Sequence, residues 1–299
     1  MAVVLGQNQY GKAETRVVRV FRDTEPHEIV DYNVSVALRG DFTDVHLLGD
    51  NTKCLTTDAT KNTVNAFAKE AGEAVREPES FGLALARHFV DDVPQVERAR
   101  IQLECYPWDR LTHAGSAHPH AFARRGSYVR TVTVTYDGDR AWIVSGVRDL
   151  IVLKTTDSEF HTFYEDRYTT LEPTHDRIMA SSVTAQWLHT GEDIDWSTSF
   201  NGVLAAMTGT FAGHHSLALQ QTMYAMGEAI IAEQPELAEV RFSMPNKHHF
   251  VIDLSPYGLE NKNEVFHADD RPYGYIEGTV RRDDAPDPGP AAFDPGQGW

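Results

Sequence analysis

The stretch Ser243–Leu254 reads S-M-P-N-K-H-H-F-V-I-D-L, a polar opening to an apolar, strand-like run. In a strand, side chains alternate between faces. If Asn246–Asp253 is extended, Asn246, His248 and Phe250 share one face, and Lys247 and His249 share the other. One imidazole with an amide neighbour suits proton exchange with a polar ligand. Adjacent histidines on opposite faces cannot chelate one metal ion. A turn and a sheet end would use the same residues, so the stretch alone leaves both readings open. His113, His118 and His120, in H-A-G-S-A-H-P-H, form a second histidine group. His118 and His120 can share a face, but no nearby Cys or Glu completes a ligand set. A polar turn is expected there, and no metal site is assigned. The chain also lacks a G-x-G-x-x-G after a strand, a Walker A motif and a G-x-S-x-G elbow.

A longer stretch narrows the chemistry. Leu150–Arg177 reads L-I-V-L-K-T-T-D-S-E-F-H-T-F-Y-E-D-R-Y-T-T-L-E-P-T-H-D-R. It resembles the signature of the urate oxidase (uricase) family at Leu150, Val152, Lys154, Thr155, Thr156, Ser158, Phe160, Phe163, Tyr168, Leu171 and Arg177. The resemblance extends to Gly11-Lys12, to Thr57-Asp58 with Lys61-Asn62-Thr63, to Leu219-Gln220 before Thr222-Met223-Tyr224, and to Pro245-Asn246-Lys247-His248. It covers the chain up to about Arg281.

The resemblance implies a site for urate, a flat anionic purine, and for O2. Phe160 would stack on the ring, and Arg177 and Gln220 would grip its edge. Leu219, where the family usually has Val, would offer its backbone N–H. Asp58 would contact the purine through its backbone. Lys12, Thr57 and His248 would relay a proton from urate to a lysine kept neutral by burial. Thr57 and Asn246 would hold oxygen, and later water, above the ring. The implied reaction uses no metal or flavin, because a urate dianion donates single electrons to O2 directly, giving 5-hydroxyisourate and hydrogen peroxide. The implied fold is the tunnelling fold, assembled into a barrel-like homotetramer with active sites shared between subunits. Two other readings stand beside it: another purine- or pterin-processing enzyme of this fold, or a catalytically inactive purine-binding oligomer.

Composition agrees with an ordinary soluble protein, 41% hydrophobic and 24% charged over 299 residues. The formal charge of −17 argues against a nucleic-acid partner or an acidic membrane surface. It also requires an anionic ligand to find a local cation, which Arg177 would supply. Two cysteines, Cys54 and Cys105, make neither a disulfide framework nor a thiolate zinc site. No signal-like or membrane-length apolar run and no C-terminal peroxisomal S-K-L is read, so a cytoplasmic location is expected.

The elements that must position these residues follow from hydrophobic period and turn signals. Strands are expected over 16–21 and 27–38, and helices from an Asp58 cap to about Lys69 and over 80–90. Strands follow over 96–108, 128–136, 141–153 and 178–188, with a type I′ turn at Asp137-Gly138. Helices over 196–211 and 217–233, then strands over 240–254 and 273–281, complete the series. The order is ββααββ twice: an α+β chain of two tandem units, 1–137 and 138–282, each an antiparallel sheet with helices on one face. The Asp-, Pro- and Gly-rich tail, 283–299, is expected to be mobile.

Overall fold

Alternation of Val and polar residues builds the first hairpin, β1 (Tyr10–Phe21) with β2 (Glu28–Gly40), paired antiparallel. A computed structural model describes residues 1–291 of the chain. After β2 come a one-turn helix α1 (Thr43–Leu47), then α2 (Thr57–Glu70) and α3 (Pro78–Asp91). The strands β3 (Val96–Cys105), β4 (Trp108–His113), β5 (Ser116–Arg124) and β6 (Val129–Tyr136) follow. Then come β7 (Ala141–Lys154), β8 (Met179–His189), α4 (Trp196–Gly213) and α5 (Leu219–Glu233). The last strands are β9 (Leu237–Ser243), β10 (His248–Val251), β11 (Phe266–Asp269) and β12 (Glu277–Arg281). The ββααββ order is present twice, with a hairpin inserted in each copy: β4–β5 before β6, and β10–β11 before β12. The architecture is α+β with antiparallel sheets.

By internal contacts the chain forms two compact units. The first holds Met1–Gly146, Leu188–Ser197 and Pro286 onward; the second holds Val147–Trp187 and Thr198–Ala285. In the first, strands run in the order β1-β2-β3-β6 and then the start of β7. Val34, Val36 and Leu38 of β2 and Ile101 and Leu103 of β3 turn to one face and are buried. Phe81, Leu85 and Phe89, one turn apart on α3, cover them. Gly82 lets the helix approach the sheet, since a Cβ there would lie 2.9 Å from Val134 Cγ2. In the second unit the order is the end of β7, then β8-β9-β12. Here α5 buries Leu219, Met223, Met226 and Ile230, and its Gly227 leaves room for Val280 of β12. No helix among the described residues is long and apolar enough to cross a membrane.

Four local expectations need correction. Thr56, not Asp58, caps α2: its Oγ1 accepts from Ala59 N–H at 3.1 Å, while Asp58 lies inside the first turn. The type I′ turn sits at Ala114-Gly115, both at positive φ (48° and 81°), closing the β4–β5 hairpin. At Asp137-Gly138 only Gly138 takes positive φ, so the turn is not type I′; Asp137 N–H bonds Arg140 O, and Arg140 N–H turns to Asp137 Oδ1 at 3.0 Å. The segment 113–120 is therefore mostly strand rather than polar turn, with His118 and His120 edge to face at 4.6 Å on β5. Finally, 240–254 is two strands, because Pro245 has no N–H for a ladder and the chain leaves the sheet there. In the tail, Gly289–Ala291 form a short turn with Ala291 buried, and residues 292–299 lie outside the described residues.

The first unit buries a polar chain under α3. Arg130 Nη2 donates to Glu79 Oε2 at 2.7 Å, Ser145 Oγ donates to Glu79 Oε1 at 2.6 Å, and His189 Nε2 sits 2.9 Å from Ser145 Oγ. Since the Ser145 proton goes to Glu79, His189 Nε2–H donates to Ser145, and Nδ1 is left buried without a partner. Burial first, and the charge of Arg130 second, push the imidazole down to about 3. An unfolded histidine takes its proton near pH 6.5. The native state therefore resists a proton that the unfolded state accepts. The contribution is complete above about pH 6.5 and is lost as pH falls from there towards 3, at ~1.4 kcal/mol per unit. Between pH 7 and pH 5 the protein should lose about 2 kcal/mol more than His189→Asn does. Denaturant unfolding at the two pH values measures this, and equal losses in both proteins would refute it.

Candidate active site

Where β7 ends at Lys154, the chain leaves regular structure and is held by isolated pairings. Ser158 bridges Ser216, and Phe160 bridges Thr174. Phe160 N–H bonds Thr174 O at 2.8 Å, Glu159 N–H bonds Ser216 O at 2.7 Å, and Arg177 N–H bonds Ser158 O at 2.9 Å. This framework sets the Phe160 ring against Phe163, with centroids 5.2 Å apart and planes 19° from parallel. The Arg177 guanidinium lies over the same ring, 4.9 Å from its centroid. Arg177 is half-buried, and its Nε has no hydrogen-bond partner. Burial alone lowers its pKa, with no neighbouring carboxylate to raise it again. A guanidinium remains charged throughout the physiological range. Among the described residues no carboxylate pairs with this partly desolvated cation beside an aromatic face, and a planar anion would satisfy both.

The Ser158–Ser216 bridge carries the same patch to the start of α5. Ala218, the N-cap, is extended and provides no capping side chain, while Gln221 Oε1 turns back to accept from Leu217 N–H at 3.0 Å. The N–H groups of the first turn, Leu219 and Gln220 included, lack intrahelical partners and favour negative charge. Leu219 is buried and anchors the turn; Gln220, one residue on, is exposed. Behind them Thr222 Oγ1 bonds Ser216 Oγ at 2.8 Å and His214 Nδ1 at 3.1 Å, while Lys154 Nζ donates to His214 O.

Asn246 occupies the gap between β9 and β10. It bridges Ser181, its N–H bonds Gly274 O at 3.1 Å, and it lines an open cleft of about 330 Å³ with Ser182, Lys247 and Tyr273. His248 opens β10 half-buried, its ring stacked on Phe250 with centroids 5.7 Å apart. The shared face of His248 and Phe250 is as expected, but Asn246 is on its own bridge rather than on that strand.

The remaining candidates belong to the first unit. Lys12 is half-buried on β1, paired with Val36, just before a bulge in which Glu14 takes a φ of 56°. The bulge re-aims this end of the strand. Gly11 is required beside it, since a Cβ would fall 1.9 Å from Val36 O. Thr57 begins α2 with its side chain exposed. Asp58 pairs with Lys61 Nζ at 2.6 Å and Asn62 Nδ2 at 2.9 Å. Its pKa is lowered first by Lys61, with a smaller contribution from the charge of Lys12. Lys12 and the start of α2 therefore share one electrostatic neighbourhood. So the structure joins Phe160, Arg177 and the α5 start in one unit, and Lys12 with Thr57 and Asp58 in the other.

Comparison with known proteins decides the family. The family model for Uricase matches residues 8–135 and 143–277. The chain belongs to the uricase family. A uricase from Arthrobacter globiformis is 48% identical over 281 residues, 94% of this chain and 91% of that protein. Its crystal structure superposes with a TM-score of 0.91, covering 96% of this chain and 98% of that one at 47% identity. A uricase from Dictyostelium discoideum is 37% identical over 279 residues, covering 92% of this chain and 96% of its own. The uricase motif in this chain also carries a group that its spacing did not bring out. Glu159 meets His215 Nε2 at 2.6 Å, His161 Nε2 at 2.8 Å and His175 Nδ1 at 3.3 Å. His215, then His161, then His175 hold the carboxyl down to about 2. The Glu-x-His spacing at 159 and 161, which puts both on one face of an extended segment, is the signal that could have found it.

Proposed function

We infer that this protein is a urate oxidase, converting urate, O2 and water to 5-hydroxyisourate and hydrogen peroxide in purine degradation. The observation that carries this is the Arg177 guanidinium, its Nε without a partner, over the Phe160 ring within the uricase motif. Phe160 provides the stacking face. Arg177 offers two parallel donors to the purine edge, and exposed Gln220 offers both a donor and an acceptor. The free Leu219 N–H and the positive end of α5 add attraction for the anion. Lys12, Thr57 and His248 then take a proton from bound urate. The resulting dianion gives up electrons singly to O2 held near Thr57 and Asn246. Two electrons and two protons reach O2 to make hydrogen peroxide, and water adds to the oxidised purine.

The reaction is read as needing no metal or organic cofactor, and the protein as a homotetramer built from the tandem units 1–137 and 138–282. Each site is completed by Lys12, Thr57 and Asp58 of a neighbouring subunit. Among the described residues β1 and β12 are each paired on one side only and offer the edges for assembly. Two free cysteines fit a reducing, cytoplasmic setting. One assay tests the reading: exhaustively chelated protein is mixed with urate in air while ultraviolet absorbance and peroxide are followed. Urate loss with matching peroxide, at the rate of untreated protein, is expected. Activity lost on chelation and regained with a metal would overturn the cofactor-free mechanism, and no urate loss in either sample would overturn the activity.

A further inference from the structure

We propose that Glu159, His161 and His175 form a binding site for a divalent transition-metal ion of the zinc class. His215 acts as a positioning residue, and the ion braces the Phe160 loop rather than taking part in the oxidation. Two imidazoles and one carboxylate are a donor set that zinc-class ions favour, with one position left to water. Their ligand atoms lie within 4.8 Å of one another. In a tetrahedral site with bonds of about 2.0–2.2 Å, donors stand roughly 3.3 Å apart. Rotation of two histidine side chains, His175 exposed and His161 half-buried, covers the difference.

The backbone explains why these four side chains converge. Glu159 and His161 flank Phe160 in an extended segment, so they share the face opposite its ring. The Phe160–Thr174 bridge brings His175 opposite Glu159, and the Ser158–Ser216 bridge brings His215 to the other side. His215 Nε2 holds Glu159 Oε1, leaving Oε2 to face His161 and His175. Its Nδ1 lies 3.8 Å from Asp157 Oδ1, beyond hydrogen-bond distance, so the Nε2 contact is what orients the ligating carboxylate from behind. The ion would sit back to back with the stacking ring and tie the 159–161 segment to His175, reinforcing the Phe160–Thr174 bridge, while His215 reaches the site through Glu159. This goes beyond the proposed oxidase reading and uses none of its reacting groups.

The test uses the full-length protein, stripped of metal and then freed of chelator. Co2+ is titrated and read by its visible absorption, Zn2+ is added in competition, and thermal unfolding is followed with and without Zn2+. One equivalent per chain, a tetrahedral Co2+ spectrum displaced by Zn2+, and a higher unfolding temperature with Zn2+ are expected. His215→Ala should weaken binding by about 10–100-fold, and His161→Ala and His175→Ala by more. His118→Ala, in the β4–β5 hairpin, should leave it unchanged. Metal-free unfolding of each variant, compared with wild type, separates lost binding from lost folding, and Glu159→Gln keeps the shape while removing the charge. Absence of saturable binding in wild type, or binding unchanged in the His161/His175 double variant, would overturn the site. Urate turnover by the stripped protein bears on the oxidase reading alone, so the two can fail separately.

Discussion

Arg177→Lys should weaken urate binding by roughly 10–100-fold while leaving the fold intact. A hydrogen bond to a charged group contributes about 1.5–3 kcal/mol. An ammonium keeps the charge but cannot make the second of two parallel contacts. Arg177→Ala removes both and should cost more than about a hundredfold. Stability gives the complementary reading. Arg177 is half-buried, with no counter-ion among the described residues and an unpartnered Nε, so the folded protein gains little from it without ligand. Its removal should leave the unfolding temperature of the ligand-free protein unchanged or higher, because an uncompensated, partly buried charge disappears. Apparent urate affinity together with ligand-free thermal unfolding checks both halves. Unchanged affinity would remove Arg177 from the purine edge, and a large fall in stability would make it a structural residue.

Much of this was legible in the sequence, and what was not has physical causes. The order of strands and helices follows from periodicity, because Val-rich alternation and the Phe81–Leu85–Phe89 stripe each declare a buried face. The motif ending at Arg177 named both Phe160 and Arg177 as candidates, and the structure sets the guanidinium 4.9 Å from the ring centroid. One miss falls where a neighbour two residues away takes over the role, and the others where pairing across the fold decides. Thr56 and Asp58 are both good caps, and only the geometry of the first turn chooses Thr56. Ala114-Gly115 forms the I′ turn because the Trp108–Arg124 hairpin closes there, although Asp-Gly is the stronger local signal. Pro245 was visible, yet its consequence, that Asn246 leaves the strand of His248, depends on the Ser181 bridge. The Glu159 cluster draws His175 and His215 through pairings that no local pattern announces.

Refolding two inactive variants together should restore about a quarter of wild-type activity. Lys12, Thr57 and Asp58 fall in one compact unit, and Phe160, Arg177, Gln220, Asn246 and His248 in the other. The proposed assembly completes each site from two subunits across a two-fold interface, which creates two equivalent copies. Thr57→Ala and Arg177→Ala are each expected to be nearly inactive, the first in proton transfer and the second in binding. Unfolded together and refolded from an equal mixture, subunits that associate at random give four equally frequent kinds of site. In roughly one quarter, Thr57 comes from the Arg177 variant and Arg177 from the Thr57 variant, and those sites are intact. Another quarter carry both lesions, and the remaining half carry one. Activity is compared with wild type refolded in the same way, and a size measurement with distinguishable tags confirms mixed oligomers. If mixed oligomers form and the mixture stays as inactive as its parents, both residues serve a site within one chain, and the shared assembly is wrong.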